Sequence, residues 1–233
     1  MALKRDARNA GFGLCQRLRG RPLALTLAIL GMIMSQFWAK FLSTDGETFR
    51  LDTRIYLNDI DAPRNNDLCV GAIVGKNPGS AKGSTSSSEL QPIELDGDKL
   101  LPTVRNIITK AYLEANTPLP ERGYVQVLNL FYLCNPNLSQ AIATIKRFFK
   151  PPLCKSEVAA FPWVWYVWGD ESADLNPYKK RFSEVNTNHH FFFDNHAKKV
   201  KNQTPSHHEF AKHTQVLRHE YVVPHIAQII ANG

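Results

Sequence analysis

Four short apolar runs constrain the fold more than any other feature of this sequence. They occupy residues 68–74, 124–134, 163–168 and 190–193. Each is continuous, rich in β-branched or aromatic residues and followed by a polar loop, which is typical of strands buried on both faces of a parallel sheet. We therefore predict an α/β fold, a three-layer α/β/α arrangement around a central four-stranded, mostly parallel sheet. Such sheets bind ligands at the carboxyl ends of their strands, where the polar loops lie.

The segments between these runs carry helical patterns. Residues 100–115 repeat apolar side chains at helical spacing, and residues 138–149 form a basic amphipathic pattern. Residues 209–223 predict a last helix that Pro224 breaks. Residues 49–57 alternate apolar and polar side chains, so they predict a strand or an extended segment before the first buried run.

The N-terminal region fits this scheme least well. Residues 22–39 are uncharged and largely apolar, and they follow a basic segment. The strongly apolar part is about twelve residues long, short of the ~20 that span a bilayer, so a membrane anchor is only a minor alternative to an amphipathic or buried helix. A natural start at Met32 or Met34 is a further alternative. We predict an N-terminal extension, residues 1–48, and one α/β domain, residues 49–233.

The composition limits the kinds of partner and cofactor that we expect. Lysine and arginine number 28 against 21 acidic residues, a formal charge of +7 that points toward a polyanion such as DNA. The four cysteines lack the close spacing of an iron–sulfur or zinc site and fit a reduced cytoplasm, and the eight histidines show no zinc-binding spacing. We predict a cytoplasmic protein with no metal and no other cofactor.

The first buried run leads into Gly75, Asn77, Pro78 and Gly79, and then into a loop rich in serine. This order resembles the first active-site motif of the uracil-DNA glycosylase superfamily. Further segments resemble the elements that follow in that family: the helix LPTVRNIITKAYLEAN, the strand VQVLNLFYLC, the strand PWVWYVWGD and the Pro-Ser loop TPSHHEF. The resemblance covers about residues 68–225 and implies an enzyme that flips a base out of DNA and hydrolyses its glycosidic bond.

The resemblance implies catalytic roles for Gly75, Asn77 and Thr204. Glycosidic cleavage needs a placed water and a stabilised base anion. An amide has no useful basicity, so Asn77 would orient the water through its oxygen rather than act as a general base. Thr204 stands where strict uracil enzymes carry a histidine. The alternative for residues 77–79 is a plain turn.

Three residues are implied for base binding. Asn129 lies in an apolar strand, where a buried amide is costly unless it pairs with a base edge or with a neighbouring loop. Gly79 replaces the tyrosine that excludes substituents at C5, so the pocket would admit thymine or a bulky modified cytosine. Phe131 is a candidate to stack on the base, although a core position is the alternative.

The resemblance also implies a DNA-binding surface. Ser206 would contact phosphate, while His207 or His208 would fill the gap left by the flipped base. An N-terminal helix cap at Ser206 and a solvated run of lysines are the alternatives. The predicted DNA-binding residues are Ser80, Ser206, His207, His208, Lys199 and Lys201.

Taken together, the sequence predicts a monomeric, monofunctional DNA glycosylase that acts on double-stranded DNA without a protein partner and leaves an abasic site. The base would be modified or mismatched, for example a glucosylated cytosine of phage DNA in a defence role. Repair of uracil or thymine mismatches is one alternative, and an inactive DNA-binding module of the same fold is another. A nucleotide-binding P-loop at residues 71–77 is a weak rival because the loop is one residue short and lacks the Ser or Thr.

Overall fold

The structure is a computed structural model, and it describes residues 34–80, 86–169 and 172–233. The described residues form eight strands, four α-helices and three short 3₁₀ turns. The strands are β1 (Ser35–Thr44), β2 (Glu47–Ile60), β3 (Leu68–Gly75), β4 (Ser87–Pro92), β5 (Gly123–Asn129), β6 (Val164–Tyr166), β7 (His190–Asp194) and β8 (Lys199–Lys201). The helices are α1 (Leu100–Glu114), α2 (Leu138–Ile145), α3 (Asn176–Lys180) and α4 (Val223–Asn232).

All of the described strands join one mixed sheet in the order β4-β1-β2-β5-β3-β6-β7-β8. The prediction of a four-stranded, mostly parallel sheet is therefore wrong. The neighbours β5-β3-β6-β7 are parallel, but the other four of the seven described pairings, β4-β1, β1-β2, β2-β5 and β7-β8, are antiparallel.

Residues 49–57, predicted as a strand or an extended segment, lie in β2, whereas β1, β4 and β8 were not predicted because they are not continuous apolar runs. β1 lies partly in the stretch interpreted as a helix or anchor, and β4 is the polar segment SSELQP. A turn at Asp45 and Gly46, both with positive φ (51° and 78°), joins β1 to β2. Asp-Gly is a strong hairpin signal of the type I′ turn. The predicted boundary between residues 48 and 49 falls within β2, and residues 1–33 lie outside the described ranges.

The core has one apolar cluster on each face of the sheet. One cluster packs α1 and α4 against side chains such as Ile73, Val127 and Trp165. The other packs α2 against side chains that alternate with these, such as Val74 and Tyr166. The central strands are therefore covered on both faces, as their continuous apolar sequence requires.

Two helix predictions compare differently with the structure. The predicted face of α1, which includes Val104, Ile108 and Tyr112, is buried. The helix predicted over residues 209–223 is wrong, because α4 begins where that prediction ended. Pro224 lies in the first turn of α4, a position where its missing N–H has no helical partner to lose. No helix in the described ranges is long and apolar enough to cross a membrane.

Candidate active site

A cleft of about 540 Å³ opens at the carboxyl end of the parallel strands. The connection after β3 leads through β4 and α1 to β5 on one side, and β6 lies on the other side of β3. A point where connections diverge in this way is where open α/β sheets form ligand sites. The described residues that line the cleft are Lys76, Asn77, Pro78, Gly79, Ser80, Gly97, Asp98, Lys99, Leu100, Pro136, Leu138, Gly169, Lys212, His213, Gln215 and Val216.

Asn77 enters this cleft in a fixed orientation. Its Nδ2 donates a hydrogen bond of 2.8 Å to the carbonyl oxygen of Asn135, and the side chain is half-buried. Its Oδ1 accepts no hydrogen bond from the described part of the chain. Asn77 Oδ1 therefore remains available as a hydrogen-bond acceptor, and such an acceptor can orient a water molecule.

Asn129 lies beside Gly75, its register partner across the parallel pair β3-β5. Asn129 is 1 % exposed, and among the described residues neither its Oδ1 nor its Nδ2 has a hydrogen-bond partner. A Cβ at Gly75 would lie 3.0 Å from Asn129 Oδ1, so glycine leaves room for the amide. Buried polar atoms without partners are rare and mark strain, a ligand or a catalytic role.

A network that the sequence did not reveal holds the backbone around Asn129. Arg181 Nη2 donates to the carbonyl oxygens of Leu130 (2.8 Å) and Asn129 (3.3 Å), and its Nε donates to Glu157 Oε2 at 2.7 Å. The Tyr132 hydroxyl donates to Glu157 Oε1 at 2.6 Å. Burial, followed by the charge of Glu157, raises the pKa of Tyr132 well above its ordinary value, so the phenol stays a donor.

Gly79 and Phe131 occupy different surroundings. Gly79 has a φ of +68°, and apart from its chain neighbours no heavy atom of the described residues lies within 4 Å of the position that a Cβ would take, so the described part of the cleft is open on this side. Phe131 is 2 % exposed and packs edge-on against Tyr178 with ring centroids 5.6 Å apart. Phe131 is therefore a packed side chain in this structure rather than an exposed stacking surface.

The Pro-Ser loop, residues 204–210, is not among the described segments that line the cleft. Burial raises the pKa of Tyr166 to about 12, and a hydrogen bond with Thr204 opposes that shift, so Thr204 contacts the face of the sheet. The Ser206 N–H donates to Glu209 Oε2 at 2.7 Å, and the Glu209 N–H donates to the Ser206 carbonyl at 3.0 Å. These two hydrogen bonds close a turn, and they are not the N-terminal helix cap that was the alternative for Ser206, because no helix begins at this turn.

Of the other residues predicted to bind DNA, only Ser80 is among the described residues that line the cleft. The rings of His207 and His208 lie 3.9 Å apart, with Lys179 Nζ donating to the His207 carbonyl at 3.2 Å. Lys201 Nζ pairs with Asp194 (2.7 Å) and Glu209 (3.0 Å), whereas Lys199 is exposed at the edge of the sheet. Ser80 does line the cleft, and its Oγ donates to the Asp96 carbonyl at 3.2 Å.

Residues 212–216, which we call the cleft segment, contribute to the cleft lining in place of the Pro-Ser loop. The Lys212 N–H donates to the Phe193 carbonyl at 3.1 Å, and the Gly169 N–H donates to the Ala211 carbonyl at 2.7 Å. Gly169 has a φ of +60°, and a Cβ there would lie 2.7 Å from His213 Cβ. His213 is therefore packed against the end of β6, and no local pattern in the sequence distinguished it from the other histidines.

The electrostatics of the cleft favour a neutral His213 among positive charges. Burial, then Lys76 and Lys212, lower the pKa of His213, and Asp98 opposes them. A neutral imidazole keeps one N–H donor and one acceptor nitrogen. Lys99 adds a further cation to the lining. The described lining therefore has more cations than anions, which suits an anionic ligand, and it also has hydrogen-bonding groups.

Compared with known proteins, the chain matches no protein-family model, no curated protein and no solved structure. Within residues 34–80, 86–169 and 172–233, no three His, Cys, Asp or Glu side chains gather in a way that could hold a metal ion. What the chain does must be inferred from the cleft itself.

Proposed function

We propose that this protein is a monofunctional DNA glycosylase that receives a flipped base in the cleft and hydrolyses its N-glycosidic bond to leave an abasic site. The observations that carry the proposal are Asn77 and a neutral His213 in the lining of the cleft, together with the buried, unpartnered amide of Asn129 beside Gly75, two residues before Asn77. These are groups that can place a water, pair with a base edge and donate to a departing anion.

Base recognition rests on Asn129. An unpaired buried amide costs about 1–3 kcal/mol in the free protein, and a ligand that pairs with it recovers that energy. The amide offers both a donor and an acceptor, so it fits the Watson–Crick edge of a uracil-like or a cytosine-like base. Arg181 and Glu157 fix the adjoining backbone, which keeps the amide oriented.

The chemical step divides between two sides of the cleft. Asn77 Oδ1 accepts a hydrogen bond from the attacking water, whose oxygen forms the new bond to C1′ of the sugar. His213 donates its N–H to the base as the C1′–N bond breaks and the electron pair moves onto the base. His213 thus takes the role first assigned to Thr204, and removal of such a donor typically costs 10²–10³ in rate.

DNA is held by the cations around the cleft, and Val216 fills the gap left by the flipped base. Val216 is 90 % exposed at the rim and has a φ of +56°, which is strained for a β-branched residue. An exposed apolar side chain at the mouth of a base pocket is suited to wedge into a duplex. Val216 therefore replaces His207 and His208 in this role.

The open space at Gly79 favours a base that carries a substituent at C5. A modified cytosine such as a glucosylated base of phage DNA fits this opening, in a cytoplasmic defence enzyme that works as a monomer without metal or cofactor. A mismatched thymine or uracil, removed in ordinary repair, is the alternative within the same chemistry.

One observation favours a second candidate, a DNA-binding module without activity. The first motif offers only an amide at Asn77, and Thr204 is outside the described cleft lining. Such a module would bind duplex DNA in the same cleft and release no base.

Alkali cleavage of end-labelled duplexes tests the proposal. The duplexes carry uracil, a thymine mismatch, hydroxymethylcytosine or glucosylated hydroxymethylcytosine. We expect the parent protein to release one of these bases and Asn77→Ala to release none, while Asn188→Ala, an exposed control at the opposite end of the sheet, retains full activity. Equal activity in Asn77→Ala would refute the site, and DNA binding without cleavage of any duplex would favour the module.

A further inference from the structure

A buried arginine lies directly behind the cleft. Arg50 belongs to β2, whose first residues run past the end of β5, with the Arg50 N–H bonded to the Tyr132 carbonyl. Its side chain is 1 % exposed, and its Nε and Nη1 make no hydrogen bond in the described structure. Burial lowers the pKa of Arg50, although Asp98 and Cys134 oppose the shift. A buried cation is costly to maintain without a compensating partner.

The partner of Arg50 is Asp98, at 3.5 Å between Nη1 and Oδ2. The other oxygen of Asp98, Oδ1, accepts hydrogen bonds from the N–H groups of Leu100 (2.8 Å) and Leu101 (3.3 Å) at the start of α1. The carboxylate is thus held from two sides, with its side chain 10 % exposed. Among the described residues that line the cleft, Asp98 is the one carboxylate.

Hydrolysis of a glycosidic bond develops positive charge on the sugar and releases a proton from the attacking water. Asn77 can orient that water but cannot take its proton. The lysines of the cleft lining, such as Lys99 and Lys212, disfavour a positive sugar. A negative group in the same cleft would oppose their effect, and Asp98 also acts on His213 electrostatically.

We propose that Asp98 is a catalytic carboxylate and that Arg50 is the counter-ion that fixes it. This inference rests on the proposed glycosylase function. As the C1′–N bond breaks, its electron pair moves onto the base and a water oxygen bonds to C1′. Asp98 Oδ2 receives the proton that this water loses and then passes it to solvent, which restores the carboxylate.

The test compares Asp98→Asn with the parent in single-turnover base release and in duplex binding. Asparagine keeps an oxygen that can cap α1 but removes the charge and the proton acceptor. We expect the rate to fall by at least about 100-fold, the scale of general-base catalysis, with duplex affinity unchanged. Asp96→Asn is the matched control, because Asp96 is exposed with a φ of +40°, a conformation that Asn tolerates.

A parental rate in folded Asp98→Asn would overturn the role of Asp98 while leaving the proposed function intact. A parent protein that releases no base from any duplex would overturn the proposed function and this inference together. Asp98→Asn leaves a buried guanidinium without a counter-ion and can unfold for that reason. The variant Arg50→Met/Asp98→Asn removes both charges, and a folded double variant with the parental rate would also overturn the proposal.

Discussion

The Pro-Ser loop and the cleft segment both follow β8 and both contain histidine beside polar residues, but they lie in different surroundings. The Pro-Ser loop closes on itself through Ser206 and Glu209 and contacts the face of the sheet near Tyr166. The cleft segment is anchored by backbone hydrogen bonds at Phe193 and Ala211, which bring His213 to the end of β6. Similar residue types thus have different surroundings, and the backbone anchors decide which of them reach the cleft.

The largest expected difference between the two segments is in catalysis. His213→Ala should slow base release by about 10²–10³-fold, because it removes the donor to the departing base. His208→Ala, in the Pro-Ser loop, should leave the rate near that of the parent. Single-turnover release from the best duplex substrate measures both. The reverse pattern would return the catalytic role to the Pro-Ser loop.

A smaller difference is expected in DNA binding. Lys212 lines the cleft, whereas Lys201 is paired with Asp194 and Glu209. Lys212→Gln should therefore reduce the slope of log affinity against log salt by about 0.9, the value of one phosphate contact. Lys201→Gln should leave the slope unchanged, and the loss of its ion pairs should lower the free energy of unfolding only slightly. Fluorescence anisotropy over a salt series and urea unfolding measure the two effects, and equal slopes for both variants would contradict the assignment.

The smallest expected effect concerns the strained rim residue. Val216→Gly removes an unfavourable positive φ that costs about 1–2 kcal/mol in an L-residue, offset by about 0.5–1 kcal/mol for the greater freedom of unfolded glycine. We expect a slight gain in unfolding free energy together with slower base release from duplex DNA. Single-stranded DNA, which needs no wedge, should be processed at the parental rate. Val158→Gly, at an exposed residue outside the cleft lining, is the control, and equal losses on both DNA forms would contradict the wedge.

Much of the parallel part of the sheet could be predicted from the sequence. The continuous apolar runs indicated strands that are buried on both faces, and these strands are β3, β5, β6 and β7. The apolar spacing of α1 likewise indicated which side of the helix is buried. The antiparallel strands were harder because an edge strand such as β4 needs no apolar run. For the β1-β2 hairpin, the local signals were the alternation of residues 49–57, which lie in β2, and the Asp-Gly turn before that strand.

The sequence by itself determined that Asn77 and the Asn129 strand would end near each other, because the carboxyl ends of neighbouring parallel strands meet at one edge of a sheet. The tertiary structure decided which histidine and which carboxylate join them. His213 reaches the cleft through the bridge between Asp194 and Ala211, and Asp98 meets Arg50 because β2 runs antiparallel past the end of β5. Both contacts join residues distant in the chain, and their pairing depends on the assembled sheet rather than on any local pattern.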